Sequence, residues 1–427
     1  MSKRLSRTHI AFFTFILTAL AAIFILNVTA GEKQIDQKLL RLYNTSNPQF
    51  IRDMGSLLGP SVVQGNQVIG LYNGDEIFPA MLSAIHNAKR SINFETYIYW
   101  SGDIGQQFAD ALAERAKAGV QVHVLLDWVG SAKMEERFLK EMQNAGVQVQ
   151  KFHKPNWYNL AKLNNRTHRK LLIVDGDIGF TGGVGIAPEW TGNAQDPDHW
   201  RDTHFKVQGP VVAQMQSTFL DNWLKITGEV LHGDIYFPHL DPVGSHSAQM
   251  FSSSPAGGSA NMELMYQMAL TAAEKSVDLS MAYFVPDEIS QRIILDALHR
   301  GVRIRIITPG KYTDTATVRL GSRSTWGPIL QAGAEIYEYQ PTMYHCKVMI
   351  VDRYMVSVGS TNFDQRSFSL NDEANLNVYD TQFAEKQTTA FELDLAKAHR
   401  VSFSEWQNRP VHEKIREGFT SIIKSQL

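Results

Sequence analysis

The chain has 427 residues, of which 44% are hydrophobic, 10% aromatic and 20% charged, a length that holds two ordinary domains and a composition that excludes a disordered or fibrous protein. Its formal net charge of −2 supplies no overall positive field to gather nucleic acid, so no nucleic-acid partner is expected. Cys346 is the only cysteine, which excludes an internal disulfide and a multi-thiolate metal site.

Lys3, Arg4 and Arg7 precede an apolar run over 10–26, broken only by Thr14 and Thr18. A secretory signal has an apolar core of about 7–15 residues and a small-residue cleavage site, whereas a spanning helix needs about 17–25 apolar residues. The run lies at the lower edge of spanning and is long for a signal, and Val28-Thr29-Ala30 is an imperfect cleavage site. Residues 1–30 are therefore read as an uncleaved anchor, transmembrane over about 10–26. Lys33, Lys38 and Arg41 follow the run, so counting positive charges discriminates weakly. The short, dense basic flank is read as placing the rest of the chain outside the cytoplasm.

Residues 31–60 read as a polar connector with a little helix. From Val68 onward, strands and amphipathic helices alternate. Residues 91–99 alternate and are rich in aromatic and β-branched types, which predicts a strand. Helical spacing of Phe108, Leu112 and Ala116 predicts a helix over 106–117 stopped by Gly119. A strand over 120–126 and a helix over 134–144 follow. The order then recurs: strand 277–284, helix 288–299, Gly301 as a stop, strand 302–307 and helix 325–331. Wording recurs as well: Ala116-Lys117-Ala118-Gly119-Val120 is answered by Leu298-His299-Arg300-Gly301-Val302, and Asn144-Ala145-Gly146-Val147 by Gln331-Ala332-Gly333-Ala334. The repetition predicts two α/β domains with mainly parallel sheets flanked by helices, over 61–237 and 261–427. The Pro-, Gly- and Ser-loaded stretch 238–260 is read as the divider.

Each half then delivers one motif. His168, Lys170, Asp175 and Gly182-Gly183 have the same spacing as His345, Lys347, Asp352 and Gly359-Ser360. A single His-x-Lys carries no signal; the full register found twice in a duplicated fold does. Side chains alternate along a strand, so His and Lys two apart share a face, while Asp five beyond Lys has the opposite parity. Two halves meeting about a pseudo-twofold axis would gather two imidazoles and two ammonium groups around one pocket, which suits a tetrahedral phosphodiester. Asp175 and Asp352 complete the motif counted as catalytic, although parity makes a structural use the better reading. His123, His153, His204 and His239 belong to no repeated register and are read as structural or solvated. Cys346, between His345 and Lys347, is expected to point away from the site and pack. Trp190, Trp200 and Trp223 are read as core residues first, with a lipid entrance as the alternative.

The duplicated H-x-K-x4-D pattern resembles the phospholipase D superfamily, and most closely the bacterial cardiolipin synthases, over roughly Val68 to Ser402. The resemblance rests on Asn165-Arg166-Thr167-His168-Arg169-Lys170, on Trp200-Arg201-Asp202-Thr203-His204, and on the run from Gly359 to Ser367 with Leu370-Asn371-Asp372-Glu373-Ala374-Asn375. It implies two tandem phospholipase D-like domains related by pseudo-twofold symmetry, and a two-step phosphatidyl transfer that needs neither metal nor cofactor. His168 would attack phosphorus, and His345 would act as acid and then base. Lys170 and Lys347 would neutralise the phosphoryl oxygens. Asn362, with Ser360 and Gly183, would bind substrate, and Asp202 and Glu373 would orient the imidazoles. Partners implied are phospholipids, phosphatidylglycerol among them, at a bacterial inner (cell) membrane. One departure stands out: Gly185 occupies the first-half position matching Asn362. Loss of one oxyanion donor costs about 10²–10³ in rate, although a glycine backbone N–H can approach closely. Hydrolysis to phosphatidic acid, cleavage of a nucleic-acid phosphodiester and non-catalytic lipid binding remain as alternatives to synthesis.

Overall fold

The computed structural model describes residues 6–29, 35, 37–154, 165–255 and 258–421, without the side chains of 23–29 and 418–421. The first half contributes β1 (Val63–Tyr72), β2 (Ser91–Thr96), β3 (Gln121–Asp127), β4 (Gln148–Phe152), β5 (Leu171–Val174), β6 (Ile178–Gly182) and β7 (Thr203–Gln208). The second contributes β8 (His246–Ser253), β9 (Ser276–Met281), β10 (Arg303–Pro309), β11 (Glu335–Tyr339), β12 (Lys347–Val351), β13 (Met355–Gly359), β14 (Glu373–Tyr379) and the added edge β15 (Ala398–Val401). All fifteen join in one sheet, ordered β15-β11-β10-β9-β12-β13-β14-β8-β1-β7-β6-β5-β2-β3-β4. Apart from β15, the order on one side of the antiparallel β1–β8 pair repeats the order on the other. The duplication legible in the wording is therefore a duplication of topology.

The sheet is mixed, which corrects the expectation of mainly parallel strands. Only β2-β3-β4 and β9-β10-β11 run parallel; β5, β6, β7 and their second-half equivalents pair antiparallel. Connection length explains the switch. Helices Asp103–Lys117 and Glu136–Asn144 provide crossovers between the parallel strands. The tight turns after Val174 and Val351 leave room only for a hairpin. Both turns are left-handed, at Asp175 and Gly176 and at Asp352 and Arg353.

The stretch read as the divider contains β8, which pairs with β14 along its full length. It is buried on both faces, with Ala248, Gln249, Met250 and Phe251 covered in succession. Helix Pro48–Leu57, in the stretch read as a connector, sinks Phe50 and Met54 into the second-half core beside Val277 and Leu279. A further core, from Val68 and Phe205 to Val348 and Leu376, is shared by both halves. That shared core fixes the halves against each other.

Helix Arg7–Thr29 covers the N-terminal apolar run. Phe12, Phe13, Phe15, Leu17 and Leu20 on it are exposed. Among the described residues no helix is long and apolar enough to cross a membrane, so the single-pass anchor expected over 10–26 is not supported; the side chains of 23–26 lie outside the described residues.

Candidate active site

The two halves interlock at the motif. Thr167 bridges Asp372, and Tyr344 bridges Arg201. The His168 N–H donates to the Asp372 carbonyl and the His345 N–H to the Arg201 carbonyl, each at 2.8 Å. Each histidine is thus bound through its backbone to the residue just before the other half's orienting carboxylate.

The side chains repeat this crossing. His168 Nδ1 lies 3.0 Å from both oxygens of Glu373, and His345 Nδ1 lies 2.7 Å from Asp202 Oδ2. A carboxylate accepts, so each Nδ1 carries the proton and each Nε2 is left to the chemistry. Lys170 and Lys347 are anchored by donating to the carbonyls of His168 (2.9 Å) and His345 (2.8 Å). Lys347 Nζ also stands 3.2 Å from both ring nitrogens of His345. His168, Lys170, His345 and Asn362 line a single cleft of 420 Å³.

Electrostatics set the protonation states. Burial, then the ammonium groups of Lys170 and Lys347, hold the His168 imidazole well below its ordinary value. Burial and Lys347 lower His345, against the opposing pull of Asp202. Burial alone would raise the Asp202 carboxyl, but His345 and Lys347 override it and hold the group below its ordinary range. Glu373 ends on the other side: burial raises it despite Lys170. Burial and mutual repulsion also push Lys170 down. A phosphodiester entering the cleft would offset the positive charge that holds both imidazoles down, and so favour the doubly protonated His345, with Asp202 on its Nδ1 and an Nε2 proton to give.

The two carboxylates also differ in what stands behind them. Ser360 is fully buried and donates from Oγ to Glu373. At the matching Gly183, a Cβ would fall 2.2 Å from Asp202 Oδ1. Neither residue faces the cleft, which corrects their expected role in substrate binding: both lie behind the carboxylates. Asp175 and Asp352 are also outside the cleft, in the left-handed turns that follow β5 and β12, which corrects the catalytic label. Asp175 accepts from the backbone N–H groups of Lys89, Arg90 and Ser91, and Asp352 from those of Glu274, Lys275 and Ser276. Each caps the start of the strand that β5 or β12 pairs with.

Asn362 is buried, and its Oδ1 has no hydrogen-bond partner among the described residues. At Gly185 a Cβ would lie 2.7 Å from Ile98 Cβ. Ile98 occupies the space that a second asparagine would need, so the first half offers the cleft no amide side chain there. Trp190 and Trp200 line the cleft, while Trp223 is in the core. Trp190 Nε1 donates to Asp202 Oδ2 at 2.9 Å, and its ring meets His345 edge-on at 5.1 Å. Cys346 is buried, as alternation required. Sequence reasoning missed Tyr97, Arg166, Tyr283, Asp314 and Arg366 as lining residues. Arg166 and Arg366 each had a signal, since both stand in the stretches that carry the family resemblance.

Two imidazole–carboxylate pairs and two lysines, gathered by repeated α/β halves around one cleft that His168, Lys170 and His345 line, define a phosphodiester-processing site of the phospholipase D type. A family model described as "Cardiolipin synthase, PLD-like domain" matches residues 81–223 and 266–395, and the chain belongs to this family. It is thereby an enzyme of the phosphatidyltransferase and phosphodiesterase class. Among its relatives, cardiolipin synthase 2 of Bacillus anthracis is 33% identical over 93% of this chain and 77% of its own length. A cardiolipin synthase of Geobacillus sp. (strain WCH70) is 34% identical over 84% of this chain and 72% of its own. Among solved structures, phosphatidylserine synthase of Haemophilus influenzae Rd KW20 superposes with a TM-score of 0.67 at 15% identity, covering 89% of this chain and all of that one. Polyphosphate kinase of Porphyromonas gingivalis matches with a TM-score of 0.54 at 13% identity, over 92% of this chain and 57% of that one. These two likenesses concern the fold.

Proposed function

We propose that the enzyme transfers a phosphatidyl group from one phospholipid to the headgroup hydroxyl of phosphatidylglycerol, through a phosphohistidine. The crossed pairing of His168 with Glu373 and of His345 with Asp202 around one cleft is the observation that carries it. His168 Nε2 attacks phosphorus while His345 gives its Nε2 proton to the departing alcohol, because an alkoxide is a poor leaving group. The acceptor hydroxyl then attacks phosphorus, the P–N bond breaks, and His345 takes the hydroxyl proton. Lys170, Lys347 and Asn362 hold the phosphoryl oxygens through both steps. No step requires a metal. Glu373 stabilises the imidazolium that forms when His168 is phosphorylated. The exposed apolar residues of helix Arg7–Thr29 support association with the membrane where such substrates lie, with the catalytic part outside the cytoplasm.

The test supplies the full-length protein with radiolabelled phosphatidylglycerol in vesicles and, separately, with a labelled oligonucleotide. A diphosphatidyl product is expected; phosphatidic acid alone would indicate hydrolysis, and a cut oligonucleotide a nuclease. His168→Ala and His345→Ala should each lower turnover by at least about 10³, while EDTA leaves it unchanged. Full activity in either variant, or strict dependence on a divalent ion, contradicts the mechanism. Protease protection of the catalytic part in intact spheroplasts would overturn the topology.

A further inference from the structure

The chemistry at phosphorus is duplicated, but the charge around it is not. Each half supplies one histidine, one lysine and one orienting carboxylate. Arg166, two before His168, is matched in the second half by Met343, two before His345. Arg366, seven beyond Gly359, is matched in the first half by Glu189, seven beyond Gly182. The match at 366 is structural as well. Helix Gln365–Ser369 and the short 3-10 turn Pro188–Trp190 follow equivalent strands. The next residues, Ser367 and Trp190, each hydrogen-bond the orienting carboxylate on their own side. Because the halves cross at the site, the two unduplicated cations meet on one wall.

That wall borders His168. Arg166, Arg366, Tyr97, His168 and Lys170 all line the cleft. Tyr97 organises them: its hydroxyl accepts from Arg166 NH1 at 2.7 Å, its ring lies 5.2 Å from the His168 ring, and Lys170 Nζ and Arg166 Cζ sit 5.6 and 5.9 Å from its centroid. Arg166 Nε is buried without a hydrogen-bond partner among the described residues. The nearby carboxylate of Asp127 is engaged by the backbone N–H groups of Val129, Gly130 and Thr167, and that of Asp364 caps its helix through the Ser367 N–H. On the other side of the cleft, His345 faces the rings of Trp190 and Trp200.

Two lysines already suffice for the oxygens of one phosphodiester. We infer that Arg166 and Arg366 form a second anion subsite, which holds the phosphate of the acceptor phospholipid while its headgroup hydroxyl attacks. The inference rests on the proposed transfer reaction and names what selects the acceptor. Lys170 and Arg166 share the Tyr97 ring, so the arginines continue the cationic row that meets the reacting phosphate. A glycerol headgroup, with three carbons between its two ester positions, lets one phosphate lie beside the other along that row. Paired guanidinium forks match a phosphodiester in shape as well as charge. Water and neutral alcohols have nothing for this wall to grip, so the arginines favour synthesis over hydrolysis without taking part in bond making.

The experiment gives the full-length enzyme phosphatidylglycerol vesicles together with labelled free glycerol, and compares Arg166→Gln, Arg366→Gln and Arg166→Lys with the parent. Transfer to a phosphate-bearing lipid appears as diphosphatidyl product, and transfer to a neutral alcohol as label exchanged into phosphatidylglycerol. A parallel arm offers glycerol 3-phosphate. The glutamine variants should lower the ratio of diphosphatidyl product to glycerol exchange at least tenfold, through the KM for the lipid acceptor (about tenfold per lost charged contact), and Arg166→Lys should restore part of it. An unchanged ratio, or a parallel fall of both products, overturns the inference and leaves the transfer reaction standing. Arginine dependence confined to the glycerol 3-phosphate arm assigns the subsite to a soluble phosphate and overturns the lipid assignment. Failure of the parent enzyme to make either product overturns the transfer reading and this inference with it.

Discussion

Asp202→Asn tests the crossed architecture directly, because Asp202 belongs to the first half but serves the histidine of the second. Its Oδ2 lies 2.7 Å from His345 Nδ1, with both groups buried. A hydrogen bond to a charged group is worth about 1.5–3 kcal/mol, or about 10- to 150-fold in rate. An amide donates as well as accepts, so the substitution also frees the imidazole to take the wrong tautomer, a fault that costs about 10⁴ where a carboxylate holds a catalytic histidine. The expected fall in kcat/KM is therefore about 10²–10⁴. The sign of the pH effect follows from the same contact. Asp202 raises His345 against burial and Lys347, so its loss lowers the pH above which the acid is spent, and the alkaline limb of kcat/KM moves to lower pH. A nitrophenyl phosphodiester separates the roles, since nitrophenolate departs without a proton. Asp202→Asn should release a burst of nitrophenolate and then stall, with phosphate trapped on His168, because the acceptor alcohol still needs its base. Stopped-flow absorbance and mass spectrometry of the quenched protein read both. A burst in Glu373→Gln but not in Asp202→Asn, or a variant within threefold of the parent with an unmoved limb, would refute the assignment.

Asp175→Ala should leave kcat per folded molecule unchanged while costing about 2–4 kcal/mol of stability, from three lost backbone contacts and a left-handed position; urea unfolding and active-site titration together check this, and inactivity at full folding would sink it. Gly183→Ser should behave like Asp202→Asn, because the new Cβ falls 2.2 Å from Asp202 Oδ1 and nothing there can give except the carboxylate; an unaltered pH profile would count against it. Burial raises the carboxyl of Glu95 from 4.5 to about 7, so the folded protein keeps a proton that the unfolded chain releases across that window, and stability should decline as pH rises from about 4.5 to 7. Glu95→Gln should flatten that decline, by about 3 kcal/mol at most; denaturant midpoints at pH 5 and pH 8 that differ equally in both proteins would rule it out.

How far the chain could be read ahead of its structure depended on how local each feature was. Strand and helix identities in both halves followed from periodicity, and helix Glu288–His299 spans the predicted residues. The strand predicted over 91–99 ends at Thr96, because Tyr97 leaves the ladder to face the cleft. Antiparallel pairing after β5 and β12 depends on left-handed turns at Asp175 and Asp352, residues whose motif membership suggested chemistry. The strand β8 hides in a Pro/Gly/Ser-rich stretch, because its neighbours β1 and β14, distant in sequence, supply the partners.

Repeated spacing by itself singled out the four side chains, two from each half, because the register of His, Lys, Asp and Gly recurs unchanged. The left-handed turns after β5 and β12 turned Asp175 and Asp352 away from the reaction. Which carboxylate serves which imidazole was decided only when the halves came together: Glu373 reaches His168 and Asp202 reaches His345, pairings across 205 and 143 positions of chain. The same assembly set Arg166 beside Arg366 and turned Ser360 and Gly183 from expected ligands into supports. Contacts of that separation are specified by the shared hydrophobic core between the halves, and no local pattern in the chain encodes them.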